Sequence, residues 1–265
     1  MATLDAIVPL LLRPWPHPGE NGCIVPLPGV QPNTVTQLES HWSGFLTEDT
    51  RRLLELSCGL SATPLGQIDF TGKWYPEEPL SQFRPSLTLA IDENGRRWIA
   101  EVHKTRGLPG PIWCIAPAPR VALYLDANLA EFLLRLREHI RRGTTTQWLT
   151  NLTIRARRVW AQRFGSAMTL VTAWHRLREI RGWLGTLPRH SLIYDLRAPT
   201  RLRGLPYNLG PDFPDTYRCG KLPVFAISGF DPPDRSRMSG LSAARYSSNR
   251  GTSTGFTRCA PKPAS

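Results

Sequence analysis

One stretch constrains the fold more than any other: between residues 87 and 102 the apolar period is two, and an Asn-Gly pair sits in its middle. Leu87, Leu89 and Ile91 alternate with polar or small residues, Asp92-Glu93-Asn94-Gly95 follows, and Trp98, Ala100 and Val102 share one face of the return run. Alternation marks a half-buried strand, and Asn-Gly tolerates the positive φ angles of a tight hairpin turn. Two more short strands are predicted at Ile112–Ala116 and Val121–Leu125, bracketed by Pro109, Pro111, Pro117 and Pro119. Consecutive short strands with no helix between them require antiparallel neighbours.

Helices flank this sheet. Thr34 is the predicted cap of a helix over 34–45, with Val35, Leu38, Trp42 and Phe45 as its apolar stripe. Thr47 opens a second helix, with Glu48 and Asp49 in the turn where the dipole favours anions, and Gly59 as its expected stop. Asn128 caps a third, whose stripe is Leu129, Phe132, Leu133, Leu136 and Ile140 and whose solvated face pairs Glu131 with Arg135 and Glu138 with Arg142. After a polar break at Thr144–Gln147, helices are predicted over Leu152–Phe164 and Ala167–Leu184, anchored by Trp160, Leu170, Trp174 and Leu177. Strands follow at Ser191–Leu196 and Leu222–Ile227. The expected class is α+β: an antiparallel sheet packed with helices, then a smaller helical and β extension, then a tail over 229–265 too poor in aliphatic residues to fold.

Cysteine and charge bound the setting. Five cysteines, at 23, 58, 114, 219 and 259, form no Cys-x-x-Cys pair, so reduced thiols and a cytoplasmic location are expected, with neither zinc site nor disulfide framework. No apolar run approaches the roughly 20 residues of a membrane span, and residues 1–18 lack the basic start of a secretory signal. The net charge of +12 is unevenly spread: residues 135–203 hold 15 basic and 3 acidic groups, whereas residues 1–134 hold 10 and 14.

Residues in the first half resemble the SUKH superfamily (Smi/Knr type). Gly29-Val30, the helix 34–45 and Leu46–Gly59, with its Arg51-Arg52-Leu53-Leu54 core, resemble that superfamily's opening helices, although Thr47 stands where its usual proline caps the second. Asp69-Phe70-Thr71-Gly72 resembles the following segment, and Ile91–Val102 resembles its central acidic–glycine–aromatic hairpin. Gly110–Trp113, Val121–Leu125 and Leu129–Ile140 resemble its last strands and closing helix. The resemblance covers residues 20–143, leaving 144–228 as an Arg-rich accessory extension. It implies a non-enzymatic binding domain, similar to bacterial immunity proteins that neutralise cognate toxins and to a fungal regulator of cell-wall synthesis. Binding faces differ among such proteins, so no site residue carries over.

The residues themselves point to no catalytic constellation. Six histidines stand singly, with no His-x-x-x-His spacing, and neither a Gly-x-Ser-x-Gly elbow nor a phosphate-binding Gly-rich loop is present. No cofactor is expected. The expected partner-binding face is the set of loop acids and one aromatic pair, Asp69, Trp74, Tyr75, Glu77, Glu78, Asp92 and Glu93, which would meet a basic partner such as a nuclease toxin. The alternative is a nucleic-acid-binding module using the Arg-rich segment 135–203, where phosphate neutralisation would make affinity fall with salt.

Overall fold

A computed structural model describes residues 2–16, 23–41, 46–73, 83, 86–102, 107–162, 167–197, 202–207, 216–220 and 222–228. A 3-10 turn (Leu4–Ala6) and helix α1 (Val8–Leu11) lead into short strands β1 (Trp15–Pro16), β2 (Cys23–Ile24) and β3 (Pro26–Leu27). Helix α2 (Pro32–His41) starts two residues before the predicted Thr34 cap. Pro32 is pre-set for a first helical turn, and the N–H it lacks would be unpaired there anyway. Val35 and Leu38 are buried as their stripe predicts; Trp42 and Phe45 lie outside the described residues. Thr47 caps α3 (Glu48–Leu56), its hydroxyl accepting from Thr50 N at 3.2 Å. The helix closes on Ser57 rather than on a glycine, and Gly59 opens β4 (Gly59–Thr63). A Cβ at Gly59 would meet Ile68 O at 2.1 Å, so this glycine permits the close approach of β5 (Gly66–Asp69).

The predicted hairpin is formed by β6 (Ser86–Ile91) and β7 (Arg97–Glu101), and β8 (Ile112–Pro117) and β9 (Arg120–Asp126) extend it antiparallel. A register shift between Thr88 and Ala90 buries Ala90 and leaves Ile91 only half-buried, a bulge that interrupts the simple alternation. Asn128 caps α4 (Leu129–Arg141), accepting from Glu131 N at 3.0 Å, and Gly143 follows its end at φ +64°.

Beyond α4 the sequence expectation needed more revision. Helix α5 (Thr145–Ala161) begins inside the predicted polar break, because Trp148 is buried and stacks on His139 with centroids 4.8 Å apart. The single helix expected over 167–184 is instead β10 (Met168–Thr169), α6 (Leu170–Arg176), a 3-10 turn (Arg178–Ile180) and α7 (Arg181–Leu184). Trp174, expected as a core anchor, is 37% exposed and lies beneath Arg181, whose guanidinium carbon is 5.9 Å from the ring centroid. Strands β11 (Leu192–Asp195) and β14 (Val224–Ile227) occur where expected, while β12 (Gly204–Pro206) and β13 (Thr216–Arg218) carried no sequence signal.

These elements make an α+β fold. The five-stranded sheet runs β12-β9-β8-β7-β6 and the four-stranded one β10-β11-β14-β13, with every pairing antiparallel. Alternation then sorts the side chains. Trp98, Cys114, Leu123 and Leu125 join the helices α2 to α5 in one core. Ile99, Trp113, Ile115 and Ala122 face Tyr194, Phe225 and Ile227 of the second sheet. The far face of that sheet, Ile193, Val224 and Ala226, is covered by Ala173, Leu177, Ile180 and Leu184. Burial on both sides explains why Ile112–Ala116 reads as a continuous apolar run. The extension 144–228 thus supplies an edge strand, a covering helix and a second sheet to the same unit, Met1–Phe230. The expected tail, 229–265, lies outside the described residues.

Candidate functional site

The β6–β7 turn is built around Asp92. Its Oδ1 accepts from Asn94 N at 3.0 Å and Arg96 N at 3.1 Å, and its Oδ2 accepts from Arg96 Nε at 2.6 Å. Gly95, at φ +69°, lets the chain reverse inside that ring of bonds. Arg96 then reaches out of the turn: its Nη1 donates to Leu149 O at 2.8 Å and Thr153 Oγ1 at 3.1 Å, both on α5. A buried ion pair in the hairpin therefore fixes the turn against a helix more than fifty residues away.

A groove of about 620 Å³ opens between this turn, the β8–β9 turn and α5. Glu93, Asn94 and Arg96 line it from the hairpin and Thr145, Thr146, Thr150 and Arg157 from α5, with prolines, alanines, Leu149 and Ile154 as the apolar rest of the lining. Glu93, Thr146, Thr150 and Arg157 are exposed, whereas Arg96 is 4% exposed. Arg96 reaches the groove while bonded to Asp92, Leu149 and Thr153, so the groove mixes hydroxyl, amide and charged groups with an apolar lining. Among the described residues its lining holds no thiol or imidazole.

The expected partner-facing residues divide sharply. Glu93 is on the groove. Asp92, its neighbour, is buried and engaged, a correction to its expected place on the surface. Asp69 is corrected likewise: it is fully buried at the end of β5, its Oδ1 accepting from Thr71 N at 2.7 Å and Thr71 Oγ1 at 2.6 Å. Both acids follow an Asx-turn logic, in which a short carboxylate satisfies backbone N–H groups two residues on. Trp74, Tyr75, Glu77 and Glu78 lie outside the described residues. The Thr145, Thr146, Thr150 and Arg157 side of the groove was missed by sequence reasoning, and the 3.6-residue period of the exposed α5 positions was its only available signal.

The Arg-rich segment is dispersed rather than gathered. Arg135 pairs with the buried Asp126 instead of with Glu131. Arg141 and Arg142 both hold Glu138, at 2.8 and 2.5 Å, and hydrogen bonding from Arg141 leads the causes that keep that carboxyl down at about 2. Arg155 Nε donates to Leu202 O at 2.8 Å, and Arg197 pairs with Asp195 at 2.9 Å and Glu179 at 2.5 Å. Helices, turns and strand ends on different layers carry these groups.

Cys23, Cys58, Cys114 and Cys219 are free thiols, and burial pushes Cys58 and Cys219 up and Cys114 up to about 12. Among the described residues no group of three or more His, Cys, Asp or Glu side chains is placed to hold a metal ion. No described helix is long and apolar enough to cross a membrane. No family model, no curated protein and no solved structure matches the chain.

Proposed function

We propose that this chain is a non-enzymatic, immunity-like binding protein that neutralises a cognate toxin by direct contact, and that the groove between the β6–β7 turn and α5 is its contact face. The groove is the observation that carries the reading. It presents hydroxyl, amide and charged groups beside an apolar lining, on elements joined by the Asp92–Arg96–Leu149 bonds, and a pre-formed surface on a fixed scaffold favours recognition. The ordered SUKH resemblance of residues 20–143 supports the same class, and the free thiols support action in the cytoplasm. The expectation of a basic partner now has Glu93 as its exposed acid on the groove, with Glu77 and Glu78 outside the described residues.

The test begins with the reading frames that adjoin the gene. A toxin-like neighbour should be lethal when expressed alone, tolerated with this protein, and recovered in a stoichiometric complex with it. Absence of both protection and complex formation, for every adjoining frame, overturns the reading.

A further inference from the structure

The outer layer of the extension, formed by α6, the Arg178–Ile180 turn and α7, joins an exposed aromatic ring to positive charge. Leu177, Ile180, Leu184 and Leu187 pack inward on the second sheet, and the same period turns Arg178, Arg181, Gly182 and Gly185 outward, all four exposed. On α6 the outward side is Val171, Trp174 and His175, with Val171 70% exposed. The two stripes meet. The Arg181 guanidinium carbon lies 5.9 Å from the Trp174 ring centroid, and a Cβ on Gly185 would sit 3.7 Å from Trp174 Cζ2. Glycine at 185 therefore puts no side chain against the indole.

Charge is the independent second feature. The arginines described above are tied to carboxylates or to a carbonyl, but Arg176, Arg178, Arg181 and Arg189 are exposed, and none has an ion-pair partner among the described residues. Between residues 167 and 194 the sequence holds one acid, Glu179, and Arg197 already pairs with it at 2.5 Å. His175 and His190 add exposed imidazoles to the same segment. Within an otherwise dispersed set, these arginines leave one stretch of surface with positive charge that no described carboxylate offsets.

We propose that this layer is a second binding surface and that it takes single-stranded nucleic acid, one base stacking on Trp174 beside Arg181 while the neighbouring arginines neutralise phosphates. Charge complementarity calls for an anionic occupant, and a guanidinium matches phosphate with a two-pronged set of donors. An exposed indole next to a guanidinium is a stacking platform for a base whatever its sequence. An acidic peptide would satisfy the arginines and leave the indole in water. A duplex keeps its bases stacked inside, and a lipid surface asks for a wider apolar wedge than Val171 and Trp174 supply. None of these residues lines the groove, so the toxin reading and this one stand or fall separately.

The probes are fluorescein-labelled single-stranded dodecamers of mixed sequence, one RNA and one DNA, titrated with the full chain at several salt concentrations and followed by anisotropy. Beside them run the DNA duplex, a Glu-Ser octapeptide and anionic phospholipid vesicles. With three or four phosphates neutralised, the logarithm of the binding constant should fall against that of salt with a slope of about −2 to −3. Trp174→Ala should weaken the single strands about tenfold and keep the slope, because stacking is not ionic, and Trp174→Phe should restore most of the loss. Arg178→Ala combined with Arg181→Ala should reduce the slope by about 1.4, and the corresponding pair of Lys substitutions should preserve it. Saturable binding of either strand with these responses supports the surface, and the tighter of the two tells RNA from DNA. The proposal is overturned if neither strand binds saturably, or if the duplex, the peptide or the vesicles bind as tightly as the single strands. It is overturned equally if the variants, shown folded by thermal melting, bind and respond to salt as the wild type does.

Discussion

Arg218 Nη1 on β13 lies 2.9 Å from Glu101 Oε1 on β7, an ion pair that crosses between the two sheets. Glu101 is fully buried, Trp113 Nε1 donates to the same oxygen at 2.8 Å, and the Arg218 guanidinium sits 5.2 Å over the Phe225 ring. The contact is charge pairing rather than an aligned hydrogen bond: neither Arg218 Nη1 nor Glu101 Oε2 has a hydrogen-bond partner among the described residues. Removing one member strands the other charge, so Arg218→Met should destabilise the fold by about 3–5 kcal/mol. The double variant Arg218→Met, Glu101→Leu should recover most of that loss. Urea denaturation of the three proteins checks it, and equal stability of single and double variants contradicts the pairing.

Asp92 and Glu93 are adjacent acids with opposite expectations. Replacing Arg96 with Met leaves Asp92 buried without its counter-charge and releases the hairpin from α5, for a loss of about 3–5 kcal/mol. Glu93→Gln touches an exposed group and should change stability by no more than about 0.5 kcal/mol. Denaturant midpoints decide; a large loss at Glu93 would place it in the core network instead.

His139 gives the fold a pH dependence. It stacks within 7° of parallel on Trp148, and burial, then the charges of Arg135 and Arg142, lowers its pKa below the ordinary 6.5. The unfolded chain therefore takes up the proton more readily than the native one. The stabilisation is complete above the unfolded value and is lost as pH falls through the native one. His139→Phe keeps a ring on Trp148 and removes the titration. Between about pH 7.5 and about pH 5 the thermal midpoint should drop further in the wild type than in the variant. Parallel drops would show that the imidazole does not contribute.

Gly59 is held to glycine by β5. Because a Cβ there would meet backbone rather than a yielding side chain, Gly59→Ala should cost about 1–3 kcal/mol through displaced strands. A neutral substitution, measured by thermal melting, would mean that β4 and β5 are spaced more widely than 2.1 Å from that Cβ to Ile68 O allows.

Thiol reactivity should follow exposure. A thiol-specific reagent mapped by mass spectrometry should modify Cys23 in the native protein, and Cys114 and Cys219 only after unfolding. Native modification of Cys114 at the rate of Cys23 would contradict the burial of β8 between two layers.

Local signals were legible wherever the deciding atoms lie within a few residues. The Asn94-Gly95 reversal, the Thr47 and Asn128 caps and the stripe of α4 follow from spacing, backbone freedom and side-chain oxygens that reach the next turn. Strands β8, β9, β11 and β14 were likewise readable as short apolar runs. Burial of charge was not legible, because it depends on partners that spacing does not reveal. Asp92 and Glu93 are both acids of one turn, and only Arg96 meeting Leu149 and Thr153 decides which of them faces water. Arg135 turns from Glu131 to Asp126, Glu101 meets Arg218, and Gly204–Pro206 joins β9, each through the packing of distant segments. The sequence by itself determined the antiparallel core and its capped helices, whose forces act along the chain. The groove and the Arg96 bonds that tie the hairpin to α5 were decided only by the tertiary structure, because their geometry exists only once the hairpin and the helix are packed together.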